Sequence, residues 1–160
     1  MVKLETLSNG VRIISEYIPY VKSVSLGIWI GTGSRNESKS NSGISHFIEH
    51  MLFKGTESRS ARDIAEAIDS IGGQIKAFTG KEYTCYYTKT LDEHIDIAVD
   101  ILSDMFFHSK FDVNDINTER KVILEEINMY EDSPEELVHD VLLETVWADD
   151  SLGYPILGTM

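Results

Sequence analysis

The chain has one cysteine, Cys85, which excludes an internal disulfide. That residue falls in a strand-like stretch and reads as a structural thiol. A reducing cytoplasm is the simplest compartment. No apolar run approaches the roughly 20 residues that span a bilayer, so no membrane partner is expected. The opening Met1-Val2-Lys3-Leu4-Glu5-Thr6 alternates at once and is neither a secretory signal nor an Arg-rich transit peptide. Basic residues are scarce, 14 against 27 acidic ones, and the net charge of −13 argues against a nucleic-acid partner. The acidic excess, concentrated from Glu125 to Glu136 and at Asp149-Asp150, suits solubility and would also attract basic peptides. No repeat, low-complexity tract or linker interrupts the 160 residues, so one core and a single domain over 1–160 are expected.

What is present is His46-Phe47-Ile48-Glu49-His50, an H-x-x-E-H motif. On a helix, which turns about 100° per residue, His46 and His50 lie roughly 40° apart on one face, one turn above the other. Both imidazoles can then reach one tetrahedral zinc. Glu49 falls about 60° to the other side of His46, placed to touch a water at the metal rather than to be a third ligand. The helix is expected over about 42–54, capped by Asn41 or Ser42 and stopped by Gly55. Phe47, Ile48, Met51, Leu52 and Phe53 make it apolar almost all round, hence buried. The pentapeptide alone is loose and arises by chance in unrelated proteins.

A catalytic zinc usually takes three protein ligands and leaves one position open. The segment Asn117 to Tyr130 offers the third. Val122, Ile123, Met129 and Tyr130 form its apolar stripe, and Glu119 and Glu126, seven apart, lie on the same stripe. Glu125 points about 100° away, toward solvent. Two carboxylates on a core-facing stripe require compensation. A zinc held by two neutral histidines supplies it, which points to Glu126 as the third ligand; the alternative is an ordinary solvated helix face, since charged residues are common here. Glu119, two turns earlier, reads as a supporting carboxylate that orients a ligand or a water.

Around these segments, strands alternate through residues 3–33, with Asn9-Gly10 a hairpin turn and Val24 to Ile30 a strong β run. In the second strand, Val11, Ile13 and Ser15 alternate with Arg12, Ile14 and Glu16. Ser60 with Asp63 forms a capping box ahead of the stripe Ile64, Ala67, Ile68 and Ile71, which Gly72-Gly73 ends. Gln74 to Thr90 is a hairpin turning near Gly80-Lys81. Asp92 is expected to cap a helix carrying Ile95, Ala98, Val99, Leu102 and Phe106. Ser133-Pro134 starts a last helix bearing Leu137, Val141 and Val146. The elements do not alternate as βαβ units. The expected fold is α+β, an antiparallel sheet with helices packed on one face. His94, His108 and His139 read as surface or interface residues, and Tyr86 and Tyr87 as packing.

These blocks resemble the N-terminal part of the M16 zinc metallopeptidases, the family of pitrilysin, insulin-degrading enzyme and mitochondrial processing peptidase, and are most similar to the bacterial processing-protease-like members. The resemblance runs through Leu7 to Arg12, Gly33 to Glu37, Gly43-Ile44-Ser45 into the motif, Phe53 to Thr56, Ala77-Phe78-Thr79, and Glu119-Arg120 through Glu126. It implies the same fold, zinc on His46, His50 and Glu126, Glu49 as general base, and Glu119 in support. It also implies that Gln74 to Thr79 is an edge strand along which an extended peptide adds, with Lys76, Ala77 and Phe78 contacting it. Lys76 departs from the Asn common there, which leaves side-chain contacts at that position open.

The expected activity is therefore zinc-dependent endopeptidase hydrolysis of extended peptides. The alternatives are a non-catalytic peptide-binding or scaffold subunit of such an assembly, and a zinc hydrolase of small molecules. The resemblance further implies that the C-terminal half of a longer parent is missing. The 160 residues alone are then expected to fold, to cleave peptides weakly or not at all, and to self-associate.

Overall fold

The structure, a computed structural model, describes residues 1–148 and 150–159. Of the acidic pair at 149–150 and the block ending at residue 160, Asp149 and Met160 lie outside the described residues.

Strands β1 (Val2–Thr6) and β2 (Arg12–Glu16) pair antiparallel, Val2 opposite Glu16 and Thr6 opposite Arg12. Gly10, at φ +89°, makes the turn. The alternation in β2 predicts one buried face, but every residue of both strands is exposed, Ile14 at 70%. The reason is pairing: the hairpin forms a two-stranded sheet of its own, so no second layer covers either side. The single sheet expected from the sequence is thus two.

The other sheet orders β3 (Ser23–Ile30), β5 (Thr84–Leu91) and β4 (Gln74–Thr79) as β3-β5-β4, antiparallel throughout. Strand period two sends Leu26, Ile28, Ile30, Ile75, Ala77 and Tyr86 to one face. There they pack on Leu52 and Leu102 from the helices. Tyr86, Leu52 and Leu102 are nearly fully buried, each contributing roughly 1.5–3 kcal/mol. The opposite face carries Trp29 and Phe78, edge-on at 5.8 Å, on the strands flanking Cys85 in one register row. Cys85 is buried, and burial raises its thiol pKa, as expected of a structural cysteine.

The helices are α1 (Ile44–Leu52), α2 (Ala61–Ser70), α3 (Ile95–Phe107), α4 (Val113–Glu131) and α5 (Pro134–Val146). The Ser60/Asp63 capping box forms at α2. Asp92 does not cap α3. It lies in a short 3-10 turn, Asp92–His94, and pairs with Lys22 at 3.5 Å. In α3 the buried residues are Ala98, Ile101, Leu102, Asp104 and Met105, whereas Val99 and Ile95 face outward. A helix apolar nearly all round does not choose its inner face by periodicity, and the sheet chooses it instead. No residue of α5 is buried, and its apolar Val141 and Val146 are exposed.

Asp104 is the polar knot of this layer. It accepts hydrogen bonds from Thr56 Oγ1 (2.7 Å), Ser58 Oγ (2.9 Å) and Arg59 Nη1 (2.6 Å), and His108 Nδ1 lies 3.2 Å away. Burial would raise its pKa, but the bonds from Thr56, Arg59 and Ser58 outweigh this and pull it from 3.8 to about 2. A depressed carboxylate stabilises the fold above its unfolded pKa and loses that contribution as pH falls through the folded one. Asp104→Asn is therefore expected to cost roughly 2 kcal/mol at neutral pH, and the difference from wild type to shrink between about pH 4 and pH 2. Urea denaturation of both proteins at several pH values measures it; a difference unchanged with pH would rule this account out.

Candidate metal centre

Helix α1 starts in an unexpected way. Gly43, at φ +88°, is its N-cap, and neither Asn41 nor Ser42 caps it. The buried Glu37 does so instead: Oε2 accepts from Gly43 N at 2.6 Å and Oε1 from Ser45 N at 2.8 Å. A carboxylate there satisfies free amides and meets the positive helix end. Asn41 accepts from Ser38 N and closes the preceding turn. The helix ends at Leu52, before Gly55, whose φ of +112° serves a short bridge to Ser60. Met51 and Leu52 are buried, but Ile48 is 39% exposed, so the helix is covered on one side only.

That side faces α4. The stripe of α4 differs from the expected one: Glu119, Ile123 and Ile127 are buried, while Val122 and Met129 stand out in solvent. Glu126 is half-exposed at the margin of the stripe and Glu125 is exposed. The two helices run antiparallel, and their facing side chains alternate. His46 Nε2 lies 3.9 Å from Glu126 Oε1, His50 Nε2 lies 3.6 Å from Glu126 Oε2, and His50 Nδ1 lies 2.8 Å from Glu119 Oε1. Lys54 Nζ reaches Glu119 Oε2 at 2.6 Å. Burial would raise the Glu119 pKa, but Lys54 and His50 overcome it and hold the carboxyl below its usual value. An ionised carboxylate only accepts, so His50 Nδ1 donates, and in the neutral imidazole a metal ligand requires, Nε2 is then the nitrogen with the lone pair.

The two Nε2 atoms are 3.1 Å apart. One donor atom each from His46, His50 and Glu126 lie within 4.8 Å of one another. A tetrahedral zinc with bonds of about 2.0–2.1 Å has donor–donor edges of about 3.3–3.4 Å; the two Nε2 atoms stand near that separation at 3.1 Å, and the Glu126 carboxylate faces both, Oε1 at 3.9 Å from His46 and Oε2 at 3.6 Å from His50. Burial, and then His50, lowers the His46 pKa, which favours the neutral imidazole a metal needs. His46 Nδ1 is buried with no hydrogen-bond partner among the described residues.

Glu49 stands beside this set. Burial raises its pKa, opposed by a hydrogen bond that Thr79, the last residue of β4, donates to it. A pocket of about 310 Å³ is lined by His46, Glu49, Ala77, Phe78, Thr79, Tyr130, Asp140, Ile156 and Leu157. Of the three β4 residues singled out in the sequence, Ala77 and Phe78 reach this pocket, and Lys76 is exposed one step along the strand. β4 is an edge strand of its sheet. The pocket wall includes the segment after α5. Lys81 donates to Tyr154 O and Ser151 to Arg35 O, tying the segment down. Gly158, at φ +84°, meets Gly43 so closely that a Cβ on either would come within 2.6 Å of backbone oxygen.

From sequence alone Lys54, Asp140 and Glu37 have no role, Tyr130 only a place in the α4 stripe and Thr79 only a place in the edge strand. Lys54 is four residues past His50, in the turn that follows α1, a spacing that would continue the histidine face; Asp140 carries no local signal. His94 and His139 lie outside the cluster, and His108 belongs to the Asp104 knot.

Two imidazoles and a carboxylate converging at zinc-sized spacing, with a further carboxylate alongside, make this chain a candidate metal-dependent hydrolase. Residues 12–160 match Insulinase (Peptidase family M16), and the chain belongs to that family. It is 60% identical over 159 residues to the uncharacterized zinc protease YmxG of Bacillus subtilis, covering 99% of this chain and 39% of that protein. To an uncharacterized zinc protease of Streptomyces coelicolor it is 48% identical over 159 residues, covering 99% and 35%. The chain therefore spans little more than a third of these relatives. A protease from Helicobacter pylori superposes with a TM-score of 0.95 at 24% identity, over 100% of this chain and 39% of that one. A peptidase M16 inactive domain from Pseudomonas fluorescens gives 0.89 at 13% identity, over 98% and 38%. The α+β fold is thus that of M16 domains. A domain named inactive shares it, so the fold alone does not decide activity. No helix among the described residues is long and apolar enough to cross a membrane.

Proposed function

We propose that this chain is the zinc-binding, single-domain portion of an M16 endopeptidase that hydrolyses extended peptides. The observation that carries the reading is the convergence of His46, His50 and Glu126 with Glu49 beside the end of an open strand edge. A bound zinc would polarise the scissile carbonyl and acidify the attacking water. His46, His50 and Glu126 would hold the ion, and Glu119 orients His50. Glu49, its pKa raised by burial, takes the water proton and returns it to the leaving amine. Thr79 holds one oxygen of Glu49, leaving the other for the water.

The peptide adds to β4 by backbone hydrogen bonds, which read no side chains. Ala77 and Phe78 contact it within the pocket, and Lys76 flanks it. Asp140 on the pocket wall offers a carboxylate to a basic side chain, in keeping with the net charge of −13. Such an edge suits a polymer better than a small molecule. A scaffold role has no need of a base placed beside three donors.

Metal analysis of the complete polypeptide is expected to find about one zinc per chain. A chelator should abolish cleavage of a quenched-fluorescent peptide, and zinc should restore it. A folded protein without zinc, or cleavage indifferent to the chelator, would overturn the reading.

A further inference from the structure

The seam between α1 and α4 continues beyond the three donors. His46, His50 and Lys54 follow one another at steps of four, and Glu126 and Glu119 interleave with them from α4. The order along the seam is His46, Glu126, His50, Glu119, Lys54. Among the described residues each oxygen of Glu119 has one partner: Oε1 takes His50 Nδ1 and Oε2 takes Lys54 Nζ. Glu119 is 3% exposed, so its charge has little water to compensate it.

Lys54 is also held in place. Its amide donates to Met51 O at 3.0 Å, Gly55 turns the chain directly after it, and Thr56 is bound to Asp104. The lysine ammonium is a point charge on a flexible stem, and its 2.6 Å contact with the buried Glu119 Oε2 is what holds it in place.

We propose that Lys54 is a positioning residue of the metal centre. By engaging Glu119 Oε2 it keeps Oε1 turned to His50 Nδ1, which fixes the imidazole with Nε2 aimed at the metal. Without the lysine, the carboxylate is free to rotate about its terminal bond, and the His50 ring loses its anchor. The inference rests on the zinc reading above.

The test is a double-mutant cycle on the complete polypeptide with Lys54→Met, Glu119→Gln and the pair together. Zinc affinity is measured by chelator competition and ligand geometry by the visible absorption of the cobalt-substituted protein. Partners that orient a metal-binding histidine typically contribute 10–100-fold in affinity. Lys54→Met is expected to weaken zinc binding within that range and to change the cobalt spectrum. The double variant should bind no more weakly than Glu119→Gln alone, since Lys54 acts only through that carboxylate. Lys54→Gln is measured in the same way if the methionine variant does not fold. Wild-type zinc affinity in the Lys54 variant, or additive losses in the pair, overturns the inference. A wild-type protein that binds no zinc overturns the metal reading instead, so the two failures are distinct.

Discussion

Glu49→Gln in the complete polypeptide is expected to lower kcat by about 10²–10⁴-fold while zinc content stays at the wild-type level. The two readouts separate because of where Glu49 sits. It lies next to His50 in sequence but turns to Thr79 and the pocket, outside the trio whose donor atoms converge. Glutamine preserves the shape and can still engage Thr79, so the helix and its histidines have no cause to move. What is lost is the capacity to accept a proton from water. Stopped assays on a fluorogenic peptide, with metal analysis of the same samples, decide the matter. Near-normal turnover would remove Glu49 from the chemistry, and joint loss of zinc and turnover would make it part of the metal shell.

Glu126→Gln is expected to weaken zinc binding by more than the ~100-fold typical of outer partners, because it removes a charged donor directly. Glu125→Gln should change affinity little. The two residues are neighbours, yet α4 turns about 100° between them. Glu126 comes to 3.6 and 3.9 Å from the imidazole nitrogens, while Glu125 is in solvent. The comparison controls for charge and for local helix propensity, which both substitutions alter equally. Equal zinc affinity in the two variants would show that the carboxylate of Glu126 is not a ligand.

The shared face of His46 and His50, and that of Glu119 and Glu126, were legible because residues four or seven apart share a face wherever the helix goes; that the two faces meet followed from charge compensation and the family resemblance, since spacing does not say which helices pack. The family and the α+β class were legible from several blocks in fixed order. Burial was read less well, for physical reasons. β2 alternates as a half-buried strand does, yet its hairpin has no layer against it. Val99 and Val122 are apolar on helices whose inner face is set by the neighbours they meet. The capping of α1 by Glu37 depends on a loop folding back across several residues, and no local spacing encodes that. Asp140 reaches the pocket only because α5 folds back beside α4, a tertiary fact with no trace in the adjacent sequence.

The contact between Gly43 and Gly158 has a genetic meaning. One glycine opens the helix that carries both histidines, and the other closes the segment whose Ile156 and Leu157 wall the pocket. Both have positive φ, and a Cβ on either would collide with main-chain atoms rather than with a side chain that could swing aside. Enlarging one therefore cannot be offset by shrinking the other, since glycine is already the smallest residue. The two positions behave as a single locus: neither has a compensating partner, and variation reaches this corner of the protein only where the whole segment shifts.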